Sequence, residues 1–281
     1  MIQSDDIKRC EIASSNMRRN IIHLAHQAGS NGAHIGPALS IVEIMAVLYL
    51  QIMKIHPTDP AWVQRDRFIL SKGHGALGYY VALYEAGVIT KEELYTYEVN
   101  GSFFLGQPSK KLQKGIEYSS GSLGLGLSYG TGIALAAKRR NESFHTYVLM
   151  GDGELNEGSV WESVMFAKHN RLSNLTAIID RNNMQSDGAS DDIIGVDMEA
   201  LWKGFGWEVV TCNGHDVKQL IEAFQHKDTD NPKVIIASTV KGKGISFMEN
   251  SKDWHHNRLA DELYQKALSE LTEAGCVTDA N

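Results

Sequence analysis

A Gly-Asp-Gly turn formed by Gly151, Asp152 and Gly153, set between an apolar strand and a helix, constrains this chain more than any other feature. The run His145-Thr-Tyr-Val-Leu-Met150 predicts a buried strand, residues 157–170 a helix, and Asn174-Leu-Thr-Ala-Ile-Ile-Asp180 a second strand. That second strand delivers Arg181-Asn-Asn-Met184 to the same sheet edge, with Asn182 thirty residues after Asp152. In an open parallel sheet, ligands bind at the carboxyl edge. Asp152 offers a carboxylate, Asn182 a carboxamide, and Met184 is the candidate for a free backbone carbonyl. Such hard oxygen donors, few in number, leave octahedral positions open and suit a Mg²⁺ shared with substrate phosphates. Gly151 and Gly153 let the backbone approach a phosphate, and the following helix offers N–H donors to an anion. An EF-hand loop counted from Asp152 fails, because Glu157 and Ser163 stand where Gly and Glu are required. A dinucleotide fingerprint counted from Gly151 fails at Asn156. The surviving expectation is a metal–diphosphate site.

The same residues carry a family resemblance. A Gly-Asp-Gly followed about thirty residues later by an Asn-bearing turn is the thiamine diphosphate signature. Around it, Asp66-Arg-Phe-Ile-Leu-Ser-Lys-Gly-His74, Gly115-Ile-Glu117, Ser120-Gly-Ser-Leu-Gly124, Gly151-Asp-Gly-Glu-Leu-Asn-Glu-Gly158 and Asn213-Gly-His-Asp216 resemble transketolase. The likeness runs from about residue 16 to residue 256 and covers the amino-terminal, diphosphate-binding half of a full-length transketolase.

Periodicity gives the organisation. Residues 4–28 predict an amphipathic helix with Ile7, Cys10, Met17, Ile21, Leu24 and Ala28 on one stripe. Ser40-Ile-Val-Glu43 reads as a capping box opening a second helix to about residue 53, and Thr90-Lys-Glu-Glu93 as another. Phe68-Ile-Leu70 predicts a short buried strand. Gly121, Gly124, Gly126, Gly130 and Gly132 interrupt an otherwise helical pattern; since each costs a helix roughly 1 kcal/mol relative to Ala, close contacts are expected there. From residue 145 the chain alternates strand and helix, with strands at 145–150, 174–180, 207–212 and 233–240 and helices near 157–170, 197–205 and 216–227. Residues 191–196 read as a loop, and a short helix is expected at about 260–271. The fold class is α/β, a doubly wound, mostly parallel sheet with helices on both faces, as one diphosphate-binding domain over residues 1–281.

Composition excludes other classes. The net charge is −7 and no basic block exceeds Lys138-Arg-Arg140, so nothing calls for nucleic acid. Cys10, Cys212 and Cys276 are scattered, which indicates neither a disulfide framework nor a structural zinc site. The amino terminus lacks a signal-peptide apolar region, and the longest apolar run, residues 44–50, is far short of the ~20 residues of a membrane span. No membrane association and a cytoplasmic location are expected.

The resemblance implies residue roles. Asp152, Asn182 and the Met184 carbonyl would hold Mg²⁺, or another divalent cation such as Ca²⁺ or Mn²⁺. Gly153 would donate its N–H to the diphosphate of thiamine diphosphate, with Glu154 beside it. His74 matches a histidine at the diphosphate, and Gly121, Ser122 and Leu123 match the backbone meeting the aminopyrimidine ring. His34 matches a histidine at the reacting carbon, where an ordinary imidazole pKa suits proton handling. One of the adjacent pair His255 and His256 would contact phosphate, with His255 taken as the cofactor ligand. Glu157 matches an interface glutamate, although a first-turn glutamate complementing a helix dipole explains it nearly as well. His23, His26, His145, His169 and His226 read as ordinary hydrogen-bonding histidines.

Two departures stand out. Transketolases usually carry Gly-His-Pro where this chain has Gly106-Gln107-Pro108, and Leu-Gly-Gln-Gly where it has Leu123-Gly-Leu125-Gly126. Gln107 hydrogen-bonds a hydroxyl but carries no charge near pH 7, so altered donor recognition is expected there. The family's glutamate that protonates the aminopyrimidine lies in a pyrimidine-binding domain that this sequence does not contain. The expectation is therefore a partner subunit carrying that domain, most simply in an α₂β₂ assembly. Together they would transfer a two-carbon ketol unit between a ketose and an aldose, as sugar phosphates or otherwise charged sugars. Two alternatives are a component of another two-subunit thiamine enzyme acting on 2-oxo acids, and a non-catalytic cofactor-binding subunit. The first is disfavoured by the flanking motifs, the second by the intact Asp152 and Asn182.

Overall fold

The computed structural model describes residues 3–227 and 230–273. Five parallel strands form one sheet in the order β1-β2-β3-β5-β4: β1 (Arg67–Leu70), β2 (Thr146–Gly151), β3 (Leu175–Arg181), β4 (Glu208–Asn213) and β5 (Lys233–Ser238). Strands β1, β2, β3 and β5 read as nearly continuous apolar runs because both faces of a parallel sheet are covered.

The period-two alternation of the strands sorts their side chains onto two cores. Phe68, Leu70, Tyr147, Leu149, Ile178, Ile235 and Ala237 face one side. There they meet α1 (Ser4–Gln27), α2 (Ile35–Leu39), α3 (Val42–Val47), α4 (Ala76–Glu85), α10 (Val217–Gln225) and α11 (Asp261–Glu273). Ile69, Val148, Met150, Ala177, Ile179, Val234 and Ile236 face the other. There α6 (Gly126–Arg140), α7 (Gly158–His169) and α9 (Met198–Gly204) cover them, with Trp202 and Trp207 packed edge to face. The short helices α5 (Lys91–Leu94) and α8 (Ser190–Ile194) lie in the connections.

Three expectations are corrected. Ser40 and Glu43 form no capping box: Ser40 donates to Pro37 O and Asp180, while Glu43 pairs with Arg18 and His215, so tertiary partners have claimed both side chains. The box at Thr90 and Glu93 does form, with both reciprocal bonds present. Residues 191–196 are not all loop, since α8 occupies Ser190–Ile194. Of the glycines preceding and within α6, Gly126 and Gly130 abut Ser71 and Val148 so closely that a Cβ would collide, and Gly124 adopts φ +82° against Glu157. Gly132, by contrast, faces open space, so the close-contact argument does not extend to it. Cys276 lies outside the described residues. No helix among the described residues is long and apolar enough to cross a membrane.

Candidate active site at the carboxyl edge of the sheet

Four strand ends converge at one edge. β1 leads into Ser71-Lys-Gly-His74, β2 into Asp152, β3 into Asn182 and β5 into Thr239-Val-Lys241. Pairing of Gly151 with Asp180, and of Arg181 with Ser238, sets the last three loops side by side. Between them lies a pocket lined by Pro37, Lys72, His74, Leu123, Gly151, Asp152, Gly153, Glu154, Asn182, Met184, Gln185, Ser186, Lys241 and His255. The structure thus brings together His74, Leu123, Asp152, Gly153, Glu154, Asn182, Met184 and His255. His34 borders this group, its ring 6.0 Å from that of His74 and 5.5 Å from that of His255. His256 is not part of the pocket lining and meets His34 edge on at 4.5 Å. Gln107 sits beside Gly73 and Gly121, its Oε1 2.6 Å from where a Gly73 Cβ would lie. Ser122 and Glu157 are exposed and line no part of the pocket, Glu157 standing at the amino end of α7.

Buried polar groups brace the loops. Glu154, 2% exposed, accepts from Ser71 Oγ, from Gly124 N–H at 2.8 Å and from Gly151 N–H at 3.2 Å. Its carboxylate therefore ties three loops together, a scaffolding role beyond the one expected of it, and burial raises its pKa. Asp180, fully buried at the end of β3, accepts from Lys72 Nζ, Ser40 Oγ, Thr239 Oγ1 and Asn182 Nδ2. Burial alone would raise its pKa, but the Lys72 ammonium and the hydrogen bonds hold it below the usual carboxylate range.

The electrostatics suit a bound anion and cation together. Lys241, 2% exposed, donates to Gln185 O at 3.1 Å and bonds His255 Nδ1 at 2.9 Å, both uncharged partners. Burial and the neighbouring Lys72 charge lower its pKa to about 8. Burial, then the charge of Asp180, pushes Asp152 up to about 6, against the Gly153 and Asn183 N–H groups and the Lys72 ammonium. Gly153 N–H donates to Asp152 Oδ1 at 2.8 Å rather than into the pocket. Among the described residues no three His, Cys, Asp or Glu side chains could hold a metal by themselves. The donors present, one carboxylate, one carboxamide and a backbone carbonyl, fit a cation whose coordination is completed by ligand oxygens.

The imidazoles differ from expectation in charge. His34 is lowered to about 4 by burial and by the His256, His255, Lys72 and Lys241 charges, and His255 to about 4 by burial and Lys241. His74 is lowered well below the ordinary value by burial and Lys72. All three are therefore neutral hydrogen-bonding rings at pH 7 in the ligand-free pocket, and an anionic ligand would raise each pKa. Of the five histidines assigned ordinary roles, His23 meets Tyr264, His26 meets Asp261 and His145 meets Thr176. The sequence reading missed Lys72, Asp180, Gln185 and Lys241. The signal for the two lysines was present: each follows a strand end within a Lys-Gly pair.

A family model described as the transketolase thiamine diphosphate-binding domain matches residues 13–272. A subunit of the apulose-4-phosphate transketolase of Phocaeicola vulgatus is 38% identical over 270 residues, covering 95% of each chain. A 6-deoxy-6-sulfo-D-fructose transketolase subunit from a Clostridium species is 38% identical over 245 residues, covering 86% of this chain and 89% of that one. Among solved structures, transketolase from Campylobacter jejuni superposes with TM-score 0.86 at 28% identity, covering 96% of this chain and 43% of that one. The chain therefore spans about two fifths of the solved transketolase chains it matches.

Proposed function

Since this chain belongs to the transketolase family, we propose that it is the diphosphate-binding subunit of a two-component transketolase that transfers a two-carbon ketol unit between sugars. The observation that carries the reading is Lys241: a buried ammonium whose hydrogen-bond partners among the described residues, Gln185 O and His255 Nδ1, are both neutral, set in the same pocket as the oxygens of Asp152 and Asn182. A buried cation of this kind is costly unless an anion completes it. The carboxylate of Asp152 and the carboxamide of Asn182 in the same pocket are hard oxygen donors that suit a divalent metal ion, and a metal–diphosphate satisfies both.

Asp152, Asn182 and the Met184 carbonyl would hold Mg²⁺ or a similar divalent cation, and Lys241 would face the diphosphate. Thiamine diphosphate supplies the nucleophilic carbon and the electron sink. The chain's own work is to anchor the diphosphate, exclude water and present neutral imidazoles. His74 and His255 serve as hydrogen-bonding rings, while His34, neutral and with no carboxylate partner among the described residues, accepts or returns a proton at a ring nitrogen. The relatives named for apulose 4-phosphate and for 6-deoxy-6-sulfofructose point to ketoses that carry an anionic group, and a charged ketose is our proposal for the donor here. A second subunit would contribute the pyrimidine-binding domain and its glutamate in an α₂β₂ assembly, with Glu157 at their contact.

Calorimetric titration of thiamine diphosphate with and without Mg²⁺ tests the cofactor reading. Binding that requires Mg²⁺ and is lost in Asp152→Ala is expected. Metal-independent binding, or undiminished binding by the variant, would reject the proposed ligand set.

A further inference from the structure

The Asn213-Gly-His-Asp216 turn lines no part of the pocket, yet its histidine bonds the residue next to Lys241, which does. Val240 N–H donates to His215 Nε2 at 2.9 Å. That nitrogen must therefore carry a lone pair, which places the proton on Nδ1, and Nδ1–H donates to Glu43 Oε2 at 2.8 Å. Glu43 is in turn fixed by Arg18, with Nη1 at 2.6 Å from Oε1 and Nη2 at 2.8 Å from Oε2. Burial would raise the Glu43 pKa, but Arg18 and His215 hold it down to about 2. Arg18 Nε also donates to Lys243 O at 3.2 Å.

The segment 240–243 is thus gripped at both ends by one row of side chains. His215 holds Val240 and Arg18 holds Lys243, while Lys241 between them extends its ammonium into the pocket. Its middle is tied separately, by Gly242 N–H to Gly36 O at 3.1 Å and by Asn250 N–H to Lys241 O at 2.9 Å. Neither of those bonds fixes the Thr239–Val240 peptide, one residue before Lys241; the His215 bond does, while Lys243 N–H to Val240 O at 3.2 Å closes the turn that follows it. Few side chains can accept a backbone N–H at one end and donate to a carboxylate at the other across a rigid ring, and a neutral imidazole is one.

We propose that His215 is a positioning residue for the pocket: oriented by Arg18 and Glu43, it holds the Val240 N–H and so directs the Lys241 ammonium toward Gln185, His255 and the bound anion. Its consequence for the diphosphate rests on the function proposed above; its consequence for Lys241 does not.

The test uses the full chain and two substitutions that divide the imidazole's functions. In His215→Gln the side-chain amide reaches the Nε2 position, where its oxygen can still accept from Val240. In His215→Asn the amide reaches only the Nδ1 position, so the Glu43 contact survives and the Val240 contact does not. Acetylation of Lys241 by acetic anhydride, read by peptide mass spectrometry without cofactor, should rise roughly tenfold in the Asn variant, the scale of one lost buried hydrogen bond. It should stay near wild type in the Gln variant. His215→Met, which fills the space without a strong acceptor, replaces the Asn variant should that one not fold. In thiamine diphosphate titrations with Mg²⁺, the Asn variant should weaken affinity by a similar factor, and this loss should vanish in a Lys241→Met background. Lys241 acetylation unchanged in the Asn and Met variants, or raised equally in the Gln variant, overturns the proposal. So does an affinity loss that persists in full without Lys241. Failure of the wild-type chain to bind thiamine diphosphate with the second subunit present would instead reject the cofactor reading and leave the acetylation result to judge His215.

Discussion

The Asp180 carboxylate accepts the Asn182 carboxamide N–H at 2.9 Å, and this bond decides which end of the amide faces the pocket. With Nδ2 committed downward, Asn182 offers Oδ1, which accepts Met184 N–H at 3.0 Å and retains a lone pair for a cation. Lys72, Ser40 and Thr239 saturate the rest of Asp180, so the orientation is fixed from three further loops.

Replacing Asp180 by Asn should therefore do two things. It strips the buried Lys72 ammonium of its counter-charge, a loss of about 3–5 kcal/mol for a broken buried pair, visible as a large fall in Tm. It also frees the Asn182 amide to rotate, so Mg²⁺ affinity measured with thiamine diphosphate present should drop. A variant that melts and binds metal as wild type does would contradict both.

Glu154→Gln tests the brace beneath the Gly-Asp-Gly turn. The native carboxylate accepts from Ser71, Gly124 and Gly151, whereas a Gln amide must turn an N–H toward at least one of those donors. The expected cost is about 1–3 kcal/mol for an unsatisfied buried donor. Urea denaturation should show a lower midpoint with an unchanged slope.

Cofactor affinity should depend on pH through Lys241. Its pKa of about 8 means the ammonium that meets the diphosphate is present below pH 8 and lost above it. Affinity should be flat between about pH 6.5 and 7.5 and weaken as pH rises through 8, by up to roughly tenfold per unit. Lys241→Met should abolish that limb and weaken binding at pH 7 by roughly 10- to 100-fold, the scale of a charge-assisted bond.

Gln107 stands next to Gly73 and Gly121, at the position where the family's usual residue is histidine. Gln107→His should shift donor preference in a competition between ketose phosphates, with little change in Tm. Identical preference and turnover in the two forms would remove Gln107 from donor recognition.

The sheet was legible because strands covered on both faces must be apolar without interruption, and β2, β3 and β5 start and end within one or two residues of expectation. The pocket's oxygen donors were legible because Gly-Asp-Gly and Asn-bearing turns are rare at paired strand ends. The charged residues beneath them were not. Lys72 and Lys241 resemble solvated lysines in sequence, and only the fold buries them to 1% and 2% exposure. Ser40 and Glu43 show the converse: their spacing is that of a helix cap, but Asp180 and His215, distant in sequence, compete for the same side chains. Local pattern cannot rank a nearby backbone N–H against a buried partner more than a hundred residues away.

The central claim, that this chain is the diphosphate-binding half of a ketol-transferring enzyme, is tested most directly by turnover. The assay would use xylulose 5-phosphate and ribose 5-phosphate with thiamine diphosphate and Mg²⁺. It would be run with the chain alone and with the transketolase carboxyl-half protein encoded beside it. Turnover in the mixture, absent from either protein alone and abolished by Asp152→Ala, is the predicted result. Turnover by this chain alone would contradict the need for a second subunit, and turnover in the mixture that survives Asp152→Ala would contradict the site itself.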